Sequence, residues 1–312
     1  MNSSLNPLII CPIEICGAVK NVQPLTLGMS GAAVFSVEAE KGNFVVRFHA
    51  NAQSSWESSR DGYRLASDCG VAPKLLHVDE SEKALLTTKI EGSSFGAALM
   101  NPSTRSQAFS SFVQRLKLMQ RQSLSEVSSV DPVEAGRNIW SLQKSRPGFP
   151  SWASDFSKHI ENAAQTLATD KRRVFSHGDL NPGNILWDGS QVWFVDWEQA
   201  TMNHPYMDLA TFSNFLSLPE EATLAITGAI ENVSADGLTA HHLKTLKIMK
   251  NYSRLAYGCV FLSMVDDLRN VDTNSQVSLS ECFAQFAAGK LSLTSDSGRA
   301  AIGIAFLRQI SE

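Results

Sequence analysis

The sequence predicts an α+β fold with two lobes: a small antiparallel sheet first, then a larger, mainly helical part. In the first ninety residues, short runs rich in Val and Phe alternate with turn signals, a pattern typical of a sheet. After residue 92, apolar residues recur at helical spacing, apart from a strand-rich insert over 174–198. This order predicts lobes of residues 1–91 and 92–312, with the boundary near Glu91-Gly92.

Each lobe has its own predicted elements. In the first lobe, strands are predicted over 25–27, 34–38, 44–49 and 84–90, and a helix over 54–69. The first two strands flank the small-residue turn at 28–31, and Lys41-Gly42-Asn43 predicts a hairpin turn before the third. In the second lobe, helices are predicted over 103–123, 151–168, 243–268 and 278–291.

Composition excludes several classes of protein. The 312 residues are 43% hydrophobic and 19% charged, with a net charge of −4, so no nucleic-acid partner is expected. The five cysteines are widely spaced, which predicts reduced thiols rather than a zinc site or disulfides. The N-terminal apolar run is broken by Pro7, Pro12 and Glu14 and lacks the pattern of a signal peptide. A cytoplasmic protein without a membrane partner is expected.

One segment carries a pattern that favours chemistry, Ser-His-Gly-Asp-Leu-Asn-Pro-Gly-Asn-Ile-Leu-Trp at 176–187. Asp179 and Asn184 reproduce the D-x-x-x-x-N spacing of a kinase catalytic loop, and Asp196 follows twelve residues after Asn184. Phosphoryl transfer needs a carboxylate near the attacking hydroxyl and oxygen ligands for magnesium. These three side chains match that requirement.

The segment after the loop predicts how the three side chains meet. Asp188-Gly189 is a hairpin turn signal, and a fold there sets residues 185–187 beside 192–195. Asn184 and Asp196 then leave the open end of the hairpin together. Alone, each is a common turn, cap or loop residue, but the combined order and spacing favour a catalytic site.

Residues 174–212 resemble the aminoglycoside phosphotransferase and choline kinase superfamily, which has the protein-kinase-like fold, and the similarity extends more weakly back to about residue 25. The resemblance implies a kinase that uses ATP and Mg²⁺ to phosphorylate an alcohol group of a small molecule. It implies Asp179 as the catalytic base and Asn184 and Asp196 as magnesium ligands. His177 would support the catalytic loop, and Asp208 would brace it.

The resemblance also implies a nucleotide site in the first lobe. Ser30, Gly31 and Ala32 belong to a turn whose backbone N–H groups would approach the phosphates. Arg47 occupies the place of a phosphate-binding lysine and can bind phosphate in a bidentate manner through its guanidinium group. Its acidic partner on the following helix is Glu57 or, one turn later, Asp61. Adenine would lie near Thr88, Lys89 and Ile90.

The acceptor is less defined. Asp196-Trp197-Glu198-Gln199-Ala200 is similar to a pattern of choline, ethanolamine and thiamine kinases, so an amino alcohol is expected. Candidate acceptor-binding residues are Glu198, Tyr252, Tyr257 and Asp266, with Asp267 beside the last. His177-Gly178-Asp179, in contrast, is a form more frequent in antibiotic kinases. The alternatives are an aminoglycoside-type kinase and a pseudokinase; a protein kinase is disfavoured because Asp196 is followed by Trp-Glu.

Overall fold

A computed structural model of the chain describes residues 5–25, 32–49, 53–123 and 132–311. The strands are β1 Val19–Leu25, β2 Ala33–Ala39, β3 Gly42–Phe48, β4 Leu75–Asp79, β5 Ala84–Thr88, β6 Ser93–Ser94, β7 Val174–Ser176, β8 Ile185–Trp187, β9 Val192–Phe194 and β10 Thr201–Asn203. The helices are α1 Ile13–Cys16, α2 Gln53–Asp68, α3 Phe95–Met100, α4 Arg105–Gln120, α5 Pro132–Lys144, α6 Ser157–Thr169, α7 Met207–Phe215, α8 Glu220–Glu231, α9 Ala240–Ser263, α10 Leu279–Ala287 and α11 Asp296–Arg308.

The chain divides into two compact units. The first comprises Met1–Ser128 and Val174–Met202, and it contains the five-stranded antiparallel sheet of order β1-β2-β3-β5-β4. Strand β3 alternates strictly: Phe44, Val46 and Phe48 are buried, which turns Arg47 to the opposite face. The same unit contains the three-stranded sheet β6-β8-β9.

The second unit comprises Ser129–Arg173 and Asn203–Glu312 and is built from helices α5 to α11. The 24-residue helix α9 begins at a capping box formed by Thr239 and His242. Its C-terminal part packs with α11 in an apolar cluster that includes Phe261, Ile302 and Phe306. Helices α9 and α11 approach closely because Gly258 and Gly303 have no side chain there: a Cβ on Gly258 would lie 3.1 Å from the Gly303 carbonyl oxygen.

The α+β class predicted from the sequence is confirmed, and so are the hairpin at 41–43, the strands β2, β3 and β5 and the helix α2. The first strand runs over 19–25 rather than 25–27, and residues 26–27 lie outside the described residues. Strand β4 and helices α5 and α11 were not predicted. The lobe boundary near Glu91-Gly92 stays a prediction, since the two compact units divide the chain differently. No helix in the described part of the chain is long and apolar enough to cross a bilayer.

Candidate active site

The catalytic-loop segment begins where β7 ends. Gly178 has φ +80°, and a Cβ there would lie 2.1 Å from the carbonyl oxygen of Gln199. Only glycine fits this position, because both the backbone conformation and the close approach exclude a side chain. The glycine in His177-Gly178-Asp179 therefore brings the loop against residue 199.

His177 connects the loop to the segment that precedes Asp196. Its Nδ1 accepts a hydrogen bond from the Asp179 N–H at 3.3 Å, so the ring proton is on Nε2, which donates to the Val195 carbonyl at 2.9 Å. The ring is fully buried, with its centroid 4.5 Å from that of Trp197. These contacts give a physical basis for the supporting role proposed for His177.

The Asp179 carboxylate is held at both oxygens. The Asn184 amide nitrogen lies 3.0 Å from Oδ2, and the Asn181 amide nitrogen lies 3.0 Å from Oδ1. The first contact brings together two of the three residues selected from the sequence. Asn181 was not among the predicted site residues, because the D-x-x-x-x-N spacing leaves its position variable. The sequence feature that could have indicated it is an amide side chain directly before Pro-Gly, a pattern typical of a turn.

The predicted hairpin is confirmed by strands β8 and β9. Ile185 pairs with Phe194, and the Val195 N–H donates to the Asn184 carbonyl at 2.9 Å. Asn184 therefore lies opposite Val195, and Asp196 follows directly at the same open end of the hairpin. At the closed end, Asp188 accepts hydrogen bonds from Ser190, Gln191 and the Trp193 indole. Burial of Asp188 opposes its ionisation, but these donors outweigh it and lower its pKa to about 2.

Asp196 has a left-handed backbone conformation, with φ +69°. Such a conformation is uncommon for residues other than glycine, although Asp tolerates it better than most. Its Oδ1 lies 2.8 Å from Arg47 Nη2, and the same Nη2 donates to Glu198. Both carboxylates thus share one guanidinium, with side chains between 10 and 23% exposed.

Asn184 and Asp196 have the chemistry that magnesium prefers. The Asn184 amide nitrogen is turned to Asp179, and among the described residues no donor reaches its amide oxygen or the second oxygen of Asp196. Magnesium usually takes one or two protein oxygens and completes its octahedron with water and phosphate oxygens. Within the described ranges, no group of three His, Cys, Asp or Glu residues forms an all-protein metal cage. The two residues therefore fit a magnesium ion carried with nucleotide phosphates.

The partner predicted for Arg47 on α2 stays a prediction. The structure gives Arg47 two carboxylates from the segment after β9, Asp196 and Glu198. Asp61 pairs with Arg60 at 2.7 Å, and the Glu57 side chain is exposed. No local sequence pattern indicates the Arg47–Glu198 contact, because the two residues are 151 positions apart.

The other predicted nucleotide contacts are partly described. Ser30 and Gly31 lie outside the described residues, whereas Ala32 directly precedes β2. Because Val34 pairs with Arg47, the start of β2 lies beside the end of β3 that carries the guanidinium. Thr88 ends β5, where its hydroxyl accepts from the Lys74 N–H at 3.0 Å, and Ile90 follows half-buried.

The remaining candidates belong to the second unit. Asp208 is buried in the first turn of α7. Tyr252 is buried on α9, and Tyr257 packs edge-on against Phe215 at 4.8 Å, as core residues do. Asp266 is exposed, and its backbone N–H donates to Asp296. Their assignment to loop support or acceptor binding stays a prediction.

Solved structures of small-molecule kinases share this fold. A choline/ethanolamine kinase family protein from Mesorhizobium loti has 19% identity and a TM-score of 0.69, over 97% of each chain. A choline kinase from Streptococcus pneumoniae, also solved with AMP, has 15% identity and a TM-score of 0.59, over 92% of this chain and 94% of that one. An aminoglycoside phosphotransferase from Streptomyces rimosus, solved with ADP and streptomycin, has 17% identity and a TM-score of 0.52, over 75% and 92%.

Sequence comparison assigns the family. No curated protein sequence matches the chain. The sequence model of the phosphotransferase enzyme family (APH) matches residues 21–237, well over half of the chain, and this range includes the whole catalytic-loop segment and the hairpin. The match confirms the predicted family and the predicted enzyme class, a phosphotransferase. The chain belongs to the phosphotransferase enzyme family.

Proposed function

We propose that this enzyme transfers the γ-phosphoryl group of ATP to the hydroxyl group of a small amino alcohol of the choline, ethanolamine or thiamine type. The observation that carries the proposal is the contact of Asn184 with Asp179, together with the hairpin register that brings Asp196 to the same open end as Asn184. Five free thiols, four of them buried, accord with a reducing compartment, so we place the enzyme in the cytoplasm.

Each side chain has a separate task in the proposed reaction. Asp179 accepts the proton of the acceptor hydroxyl as its oxygen attacks the γ-phosphorus and the bond to ADP breaks in line. Asn184 and Asp196 would hold magnesium, which would neutralise phosphate charge. Arg47, which pairs with two carboxylates here, would contact the phosphates with its guanidinium. Catalysis of this type depends on positioning and electrostatics rather than on a covalent intermediate.

The amino alcohol is supported by the Asp196-Trp197-Glu198-Gln199-Ala200 pattern and by Arg47. It accords with the structural likeness to proteins described as choline and ethanolamine kinases. An aminoglycoside acceptor is the second candidate, because His177-Gly178-Asp179 resembles the antibiotic kinases and one similar structure contains streptomycin.

An ATP-consumption screen tests the proposal. Choline, ethanolamine, thiamine, homoserine, simple sugars and aminoglycosides are supplied one at a time with MgATP, and ADP release is measured. We expect turnover with an amino alcohol that disappears when magnesium is chelated. Turnover with aminoglycosides alone would select the second candidate. Nucleotide binding without turnover on any acceptor would indicate a pseudokinase and contradict the proposal.

A further inference from the structure

Asn181 lies between the proposed catalytic base and the turn that follows it. Its amide nitrogen donates to Asp179 Oδ1 at 3.0 Å, and its amide oxygen accepts from the Gly183 N–H at 2.8 Å. We propose that Asn181 is a positioning residue, whose amide holds the Asp179 carboxylate in the orientation that receives the acceptor proton. This inference rests on the proposed function, in which Asp179 is the base.

The orientation of the Asn181 amide follows from the chemistry of its two partners. The Gly183 N–H can only donate a hydrogen bond, and an ionised carboxylate can only accept one. The amide oxygen must therefore face Gly183 and the NH₂ group must face Asp179. In a flipped amide, the NH₂ group would face the Gly183 N–H, and the amide oxygen would face the Asp179 carboxylate. Neither pair could form a hydrogen bond, so the two partners specify one orientation.

The Asn181 side chain is itself fixed by the tight turn at 179–184. Asn181 caps the short 3-10 helix Pro182–Asn184, its N–H donates to the Asp179 carbonyl at 2.8 Å, and its carbonyl accepts from the Asn184 N–H at 3.0 Å. The two amides that hold Asp179 thus come from the two ends of one turn.

The two amides differ in what else they would bind. Asn184 would also supply its oxygen to magnesium, so its contact with Asp179 is coupled to the metal. Asn181 has its oxygen occupied by the protein backbone, so its hold on Asp179 is independent of the metal. A small displacement of a base can cost about 100-fold in rate, because the reacting atoms must approach to near-contact distance. Asn181 is expected to affect the chemical step rather than nucleotide binding.

The substitution Asn181→Ser separates the contact of Asn181 with the Gly183 N–H from its contact with the Asp179 carboxylate. A serine hydroxyl can still accept from the Gly183 N–H, but it is too short to reach Asp179. We expect kcat to fall by about 10- to 100-fold, the range for one hydrogen bond to a charged group. The KM for ATP and the thermal midpoint should stay close to those of the native protein. Asn181→Asp, which keeps the size and the accepting oxygen but replaces the donor with a second carboxylate, should lower kcat further.

A double-mutant cycle with Asp179→Asn distinguishes positioning from turn stability. If Asn181 acts through Asp179, Asn181→Ser has little further effect in the Asp179→Asn background. An equal fold-loss in both backgrounds, or an unchanged kcat in Asn181→Ser, would overturn the inference. Should Asn181→Ser fail to fold by circular dichroism, Asn181→Asp is used in the same cycle.

The reference is turnover of the native protein on its acceptor or, without one, its slow hydrolysis of ATP. A native protein inactive in both assays contradicts the proposed function, and with it this inference. An active native protein with an equally active Asn181→Ser variant contradicts the positioning role alone.

Discussion

Asp196 combines an uncommon backbone conformation with a shared charge. Its left-handed φ of +69° costs about 1 kcal/mol relative to an ordinary conformation. Such conformations persist at functional sites when surrounding contacts fix them. Here the hairpin register on one side and the Arg47 ion pair on the other fix the residue. Asp196 is the residue that we propose as a magnesium ligand.

We expect Asp196→Ala to abolish the magnesium-dependent part of nucleotide affinity, because it removes one of the two protein oxygen ligands that we propose for magnesium. Arg47 keeps Glu198 as a partner, so the fold should be retained. Isothermal titration with ATP, with magnesium and with a chelator, measures the effect. The exposed Asp68, at the end of α2, provides the matched control Asp68→Ala. A variant whose ATP affinity still rises with magnesium as in the native protein would contradict the metal role.

The predicted site residues that the structure brings together are close to one another along the chain. Asp179, Asn184 and Asp196 lie within eighteen positions, and a recognisable turn fixes their register. The contact of Arg47 with Glu198 joins β3 to a segment 151 positions away, and no local pattern indicates it. Asn181 was not predicted because the D-x-x-x-x-N spacing leaves its position variable, and the positioning role that we propose for it depends on the orientation of its amide.

At the scale of elements, the approach of the catalytic loop to residue 199 depends on a single glycine. Gly178 and Gly189 both have positive φ, +80° and +98°, so alanine meets a similar conformational penalty at each. They differ in their surroundings. A Cβ on Gly178 would overlap the Gln199 carbonyl, whereas no atom lies within 4 Å of a Cβ on Gly189 among the described residues.

Gly178→Ala should therefore lower the free energy of unfolding by more than about 3 kcal/mol, or shift the loop and abolish turnover, since backbone must move to admit the methyl group. Gly189→Ala should cost only about 1 kcal/mol and keep turnover. Urea unfolding and the ATP-consumption assay measure both. Equal losses of stability in the two variants would show that the close approach to Gln199 has no energetic weight.

Strand β4 and helix α11 lack a clear periodic pattern of apolar residues, for physical reasons. Strand β4 lies at the sheet edge, where β5 is its one partner strand among the described residues. Every position of β4 is half-buried, so its residues do not alternate between buried and exposed. Helix α11 is buried on most sides and contains Gly298 and Gly303, which lower helix propensity. Gly303 serves the close packing with α9 instead. Tertiary packing, not local preference, determines both elements.

At the scale of the whole molecule, a charge network around the buried side chain of His204, in the second unit, predicts how stability depends on pH. His204 is buried, accepts from the Tyr206 N–H and lies 3.2 Å from Asp170. Burial lowers the pKa of His204, and Asp170 only partly offsets this effect. Hydrogen bonds from Arg172 are the main cause that lowers the pKa of Asp170.

Folding lowers the pKa of both His204 and Asp170, so these two groups bind fewer protons in the folded chain than in the unfolded chain. The free energy of unfolding should fall as the pH drops below about 6.5, when unfolded histidine gains a proton. It should fall again below about pH 4, where Asp170 gains a proton in the unfolded chain but stays ionised in the folded chain. Urea unfolding at about pH 7.5 and about pH 5.5 measures the first step. His204→Gln removes the titrating ring and should flatten that slope. Identical slopes in the two proteins would assign the pH dependence to other groups.

The reaction proposed for the whole enzyme requires Asp179 to receive the proton of the acceptor hydroxyl. A single-turnover experiment with radiolabelled γ-phosphoryl ATP, the acceptor identified by the screen and excess enzyme separates chemistry from binding and product release. For Asp179→Asn we predict phosphoryl transfer slowed by about 100- to 10,000-fold, the range for loss of a general base, with nucleotide affinity retained. Transfer by Asp179→Asn at the native rate would contradict the proposed mechanism.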